Sequence, residues 1–142
     1  MILSDHYDAS VDLLVTRHGG HFEGAEAQKI FVNIAQENGR SPANWIVDVR
    51  EVASATFIDA DIAYLGHTER ELVRANQGDF RLNVVIVAHP EEDHTVNQRL
   101  RKMLTNAQVA LSSERVSFLG FVSDWAEALA ALELPETTKR PA

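Results

Sequence analysis

Cysteine is absent altogether, which excludes disulfides, thiolate metal ligands, iron–sulfur clusters and cysteine nucleophiles. Any metal would have to be held by histidine and carboxylate. Long apolar runs are lacking as well: no stretch approaches the ~20 residues needed to cross a bilayer. The opening Met1-Ile2-Leu3-Ser4-Asp5-His6 has neither the basic nor the apolar block of a signal peptide, so a cytoplasmic location is expected. Positive charge is in deficit, with 13 Lys and Arg against 21 Asp and Glu and a formal net charge of −8. A nucleic acid or an anionic membrane surface would be repelled overall. Missing too are a phosphate-cradling glycine motif and the Gly-x-Ser-x-Gly elbow of serine hydrolases.

What remains is ordinary globular material. The chain has 142 residues, 45% hydrophobic and 24% charged, enough for one domain with a substantial core. Val11 to Arg17 reads as a strand, which Met1 to Tyr7 can pair across the polar turn Asp8-Ala9-Ser10. Gly19-Gly20 reads as a turn. Ala27, Ile30, Phe31, Ile34 and Ala35 then recur at helical spacing until Asn38-Gly39 supplies a stop. Trp45 to Val49 suits a central strand, followed by an irregular stretch from Glu51 to Ala55. Asp59 or Asp61 can cap a second helix carrying Ile62, Leu65, Leu72 and Val73.

The strongest strand signal is Leu82 to Ala88, β-branched and nearly all apolar, as for a strand covered on both faces. A third helix is predicted from about Glu91 to Thr105, acidic in its first turn, with Val96, Leu100, Met103 and Leu104 facing the core. Val116 to Val122 reads as the last strand. Ser123-Asp124 opens a short helix with Trp125, Ala128, Leu129 and Leu132 on one face, and Pro135 closes it. Strands joined by helices favour parallel pairing with right-handed crossovers, so the expectation is an α/β layered domain, a mixed, mostly parallel sheet of about five strands with about four helices. It would span residues 1–134, with 135–142 a flexible C-terminal tail.

Two stretches of this pattern resemble the STAS family of bacterial anti-sigma-factor antagonists and sulfate-transporter cytoplasmic domains. One is Trp45-Ile46-Val47-Asp48-Val49 with Thr56-Phe57-Ile58-Asp59-Ala60-Asp61-Ile62, similar to the family's apolar strand, Asp and turn into a helix. The other runs from Phe118 to Leu129, similar to its closing strand and Ala-Leu-rich helix. Nearly the whole chain can be laid on the family's order of elements. The resemblance implies a regulatory, noncatalytic module whose partner surface includes Thr56, Asp59, Ala60 and Asp61.

The departures bear on mechanism. Where regulatory members carry a phosphorylated serine, this chain reads Asp59-Ala60-Asp61-Ile62. The turn's glycine is missing, and about two extra residues lie between Val52 and Thr56. A kinase-operated switch in its usual form is not expected. Asp61 as a permanent partial mimic of phosphoserine is one reading, and first-turn acids acting as ordinary caps the plainer one. STAS domains are also structurally similar to lipid-exchange domains of the CRAL-TRIO type, which suggests a carrier of a small apolar ligand, lipid or fatty acid, in a cavity beneath the second helix.

Other residues suggest chemistry. Thr16-Arg17-His18-Gly19 resembles the Arg-His-Gly signature of histidine phosphatases, and His89 follows an apolar strand as a second histidine does there; the alternative is a solvent-facing loop histidine at 18. Such a phosphatase or hydrolase would use Arg17, His18 and His89. His89-Pro90-Glu91-Glu92-Asp93-His94 resembles the His-Pro-Asp-Asp-Glu motif of zinc deacetylases, with a third ligand to come from elsewhere; an acid-rich helix cap explains the same residues without metal. His18 with His21 is another candidate ligand pair. Arg99, Arg101, Lys102 and Arg115, extended by Arg74 and Arg81, form either a basic patch or a solvated helix face. No cofactor, metal ligand or catalytic residue is assigned. The expected partners are a protein, a second copy of the chain or a small apolar ligand, and not nucleic acid.

Overall fold

Alternating burial along the strands dictates the architecture of this chain. In a computed structural model, which describes residues 1–56, 59–75, 80–110 and 115–141 and only the backbone within 59–65, 75 and 106–110, successive strand residues divide between two cores. Leu14, Trp45, Val47, Val84 and Ile86 belong to one, and Leu13, Val15, Ile46, Val85 and Val87 to the other. A sheet covered on both faces is the result.

The elements are β1 (Ile2–Asp8), β2 (Leu13–Glu23), α1 (Gly24–Asn38), β3 (Asn44–Thr56), α2 (Asp59–Ala75), β4 (Leu82–Val87), α3 (Thr95–Ala110), β5 (Val116–Val122) and α4 (Trp125–Ala131). The strands lie side by side in chain order, β1-β2-β3-β4-β5. The first pair is antiparallel and the rest are parallel, so the described residues form the expected mixed, mostly parallel α/β sheet with four helices. A sheet that always steps the same way through right-handed crossovers must put every crossover helix on one face. Accordingly Phe31 of α1, Leu72 of α2 and Leu100 of α3 share a single core. Among the described residues α4 is the one helix on the opposite face, through Ala128 and Leu129, with Leu132 just beyond it. Among the described residues no helix is long and apolar enough to cross a membrane.

Local chemistry fixes the helix ends. Gly39 adopts φ 71° after α1, and its N–H returns to the Gln36 carbonyl, a left-handed cap that glycine takes without steric cost. Asp124 accepts the Glu127 N–H at 2.9 Å while Glu127 accepts the Ser123 N–H at 2.7 Å. This reciprocal cap anchors the short α4, each such bond contributing about 1 kcal/mol.

Three local expectations change. Gly19-Gly20 is not a turn: both residues lie inside β2, where the ladder to β3 shifts register twice and Gly20 takes φ 56°. A Cβ at position 19 would sit 3.0 Å from the Leu3 side chain of β1, a tight contact that glycine avoids. The stretch from Glu51 to Ala55 is strand, because it pairs with Gly19 to Phe22 and buries Val52 and Ala55. Finally, α3 starts at Thr95 and not near Glu91, leaving the acids in a loop ahead of it, because the Asn97 side chain folds that loop back onto the helix.

Candidate functional site

Strand length sets out an exposed composite feature. The pairing of β4 with β3 ends at Val87 opposite Asp48, whereas β2 and β3 run on together to Glu23 and Thr56. Beyond β4 they form a ribbon, flanked on the β2 side by Met1, whose ammonium donates to the His21 carbonyl, and its His21, Ser54 and Thr56 are exposed. His21 joins the strands: Nδ1 lies 2.8 Å from Ser54 Oγ and Nε2 lies 2.8 Å from Thr56 Oγ1. With no strand beside this edge of β3 among the described residues, the Ala55 carbonyl is satisfied by the Arg99 guanidinium of α3 at 2.7 Å, as a half-buried backbone acceptor requires. Of the residues expected at the partner surface, Thr56 stands at this tip. Asp59, Ala60 and Asp61 form the start of α2, and their side chains lie outside the described residues, as do Phe57 and Ile58.

A second feature is the charged group midway along β2 and β3, level with the carboxyl end of β4, on the α4 face. Asp48 takes a two-pronged bond from Arg50, Nη2 to Oδ2 at 2.7 Å and Nε to Oδ1 at 3.1 Å, and also accepts the Arg50 N–H. Burial pushes the Asp48 carboxyl up, but the Arg50 side chain and amide, with Arg140 behind them, hold it below the usual carboxylate range. Arg17 pairs with Glu51 at 2.9 Å. The C-terminal segment lies across this corner: the Trp125 indole N–H donates to the Thr138 carbonyl at 3.2 Å, and Arg140 approaches Asp48 at 3.8 Å. Trp125, expected in the core, is half-buried at its rim.

The phosphatase residues are not brought together. Arg17 and His18 are consecutive on β2 and face opposite sides of the sheet. His18 is not in a solvent-facing loop. It is 2% exposed, hydrogen-bonded through Nε2 to Thr16 Oγ1 at 2.8 Å and set edge-on to Phe22. Burial first, then the N-terminal ammonium, lower its pKa from 6.5 to about 4 against an opposing pull from Asp48. His89 follows β4, and β3 intervenes, which separates the two strands by roughly 10 Å. Nor do His18 and His21 form a ligand pair, since one is engaged in the core and the other on the ribbon.

The loop from His89 to His94 does bring residues together. Asn97, 1% exposed, accepts the His89 N–H at 3.0 Å and donates to the carbonyls of His89, Glu91 and Glu92 at 3.1–3.3 Å. On the outer side the His89 and His94 rings stack with centroids 3.9 Å apart. Glu91, within the segment itself, stands beside the two histidines, and the candidate ligand atoms of these three residues lie within 4.8 Å of one another. Asn97 escaped the sequence reading. Its signal is an amide at the third position of a helix whose start is misjudged by one turn.

Of the remaining cations, Arg74 and Arg115 line one surface recess together with Arg70. Arg99 serves Ala55, Arg101 lies over the Phe121 ring at 4.8 Å, Arg115 pairs with Glu69 at 3.5 Å and Arg74 with Glu71 at 2.8 Å. Beneath α2 is an apolar cavity of about 90 Å³, bounded by Phe31, Trp45, Leu72, Met103 and Phe118. Of the polar residues in its wall, Gln28 and Thr68 satisfy each other at 2.7 Å and Glu69 pairs with Arg115. No protein-family model matches the chain, and no curated protein matches it.

Proposed function

We propose that this chain is a noncatalytic, STAS-like regulatory module of the cytoplasm that binds a protein partner through the tip of the β2–β3 ribbon and the start of α2. The observation that carries the reading is the ribbon itself: two strands outrun their neighbour and expose His21, Ser54 and Thr56, tied to one another and buttressed by Arg99. An exposed, internally braced polar surface beside the sheet's carboxyl edge suits recognition, because little ordering entropy is left to be lost on docking. The STAS-like character rests on the two stretches of sequence that carry the resemblance and on an element order that agrees with it. Thr56→Arg replaces an exposed side chain, so the melting temperature should change little while partners retained by the wild-type chain are lost. Retention of the same partners by that variant contradicts the proposal.

A second reading, a carrier of an apolar ligand, is favoured by the cavity beneath α2. Its size argues against a lipid or fatty acid, because about 90 Å³ falls well below the ~300–1,000 Å³ of ordinary ligand pockets. A guest smaller than benzene, whose engineered cavity is about 150 Å³, would fit. The catalytic reading through Arg17, His18 and His89 has no support from their placement.

A further inference from the structure

We propose that His89, Glu91 and His94 form a three-ligand site for zinc or a neighbouring first-row divalent ion. The loop that carries them is built from inside. Asn97, almost wholly buried, uses both its amide oxygen and its amide nitrogen on the loop backbone, so the three side chains emerge from a fixed frame. Their candidate ligand atoms lie within 4.8 Å of one another, with both imidazoles half-buried and the carboxylate exposed. Two imidazole nitrogens and one carboxylate oxygen suit zinc and its neighbours, and offer too few oxygens for calcium or magnesium. An exposed third ligand leaves the remaining coordination position to water, the layout of an open zinc site.

Closing the site has a definable cost. With metal–donor distances near 2.1 Å, tetrahedral donors stand about 3.4 Å apart, so the side chains must draw inward by rotation. Each ring now accepts a backbone amide at Nδ1, from Glu91 for His89 and from Val96 for His94, both at 3.1 Å. The hydrogen of each neutral ring therefore sits on Nε2. Whichever nitrogen binds the ion, these two amide bonds are given up and the stacked rings part. Two such bonds are a small loss beside the gain from metal coordination. The same exchange marks the site, because the Glu91 and Val96 amides must respond when the ion arrives.

The test is titration of tag-free full-length protein with Co²⁺ and Zn²⁺, followed by absorption, calorimetry and amide NMR. The expected result is one ion per chain, tetrahedral Co²⁺ bands bleached by Zn²⁺, and shifted Glu91 and Val96 amides. Glu91→Gln, at an exposed position, and His89→Ala should each weaken binding at least as much as the ~10–100-fold typical of losing an outer-shell partner. Glu92→Gln and His67→Ala should leave it unchanged. Ca²⁺ and Mg²⁺ should produce none of these signals. Absence of Zn²⁺ binding at millimolar concentration, or binding that survives Glu91→Gln and His89→Ala undiminished, overturns the proposal.

Discussion

His18 Nε2 lies 2.8 Å from Thr16 Oγ1 on the helix-covered face of the sheet, and the same hydroxyl accepts the Trp45 indole N–H at 3.0 Å. With the indole donating, the hydroxyl hydrogen is free to go to the imidazole, which suits a neutral ring. Burial holds that ring's pKa near 4 in the folded chain, against 6.5 for the unconstrained side chain. Between these values the unfolded chain binds more protons than the folded one. The stabilisation is therefore complete above pH 6.5 and is lost as the pH falls through 4, by roughly 3 kcal/mol in all. NMR titration should give His18 a midpoint near 4, with denaturation midpoints falling across the same window. A midpoint near 6.5 contradicts the buried placement.

Thr16→Val keeps the shape of that side chain but strands the indole N–H and the imidazole of His18 without their shared partner. The expected loss is about 2 kcal/mol, the cost of leaving buried polar groups unmet. Urea denaturation at pH 7 checks it, and a neutral outcome would mean that water replaces the hydroxyl.

Arg99→Met removes the guanidinium that caps the Ala55 carbonyl while retaining much of the side chain's length. A hydrogen bond from a charged donor contributes about 1.5–3 kcal/mol, so stability should drop by that order. Hydrogen exchange should quicken at Ser54 to Thr56 and not in β4. Uniform quickening across the sheet would show that the ribbon has no separate brace.

Leu72→Ala enlarges the cavity beneath α2 and should cost about 2–5 kcal/mol. Added benzene or xenon is expected to recover part of this loss in the variant more than in the parent chain. Equal effects on both would place the guest elsewhere.

The sheet and its helices were legible in the sequence because periodicity alone separates Leu82 to Val87, apolar at every position but Asn83, from the amphipathic Ala27 to Ala35. What escaped were features decided by neighbours in space. Glu51 to Ala55 looks irregular because only Val52 and Ala55 are buried there, and its strand character comes from pairing with the glycines of β2. His18 looked like a loop residue because Gly19-Gly20 suggests a turn, when those glycines serve a register shift beside Leu3. Glu91 could not be placed with His89 and His94 without knowing that Asn97 folds the loop and delays α3.

The proposed docking of a protein partner on the ribbon tip is open to site-specific photocrosslinking. A photoreactive residue replacing Thr56 is compared with one replacing Glu136, which is exposed in the C-terminal segment. A discrete crosslinked species is expected from position 56 that is absent from position 136 and is lost when Ser54 is changed to Arg in the same chain. Identical crosslinks from both positions, or a position-56 product indifferent to Ser54→Arg, would contradict it.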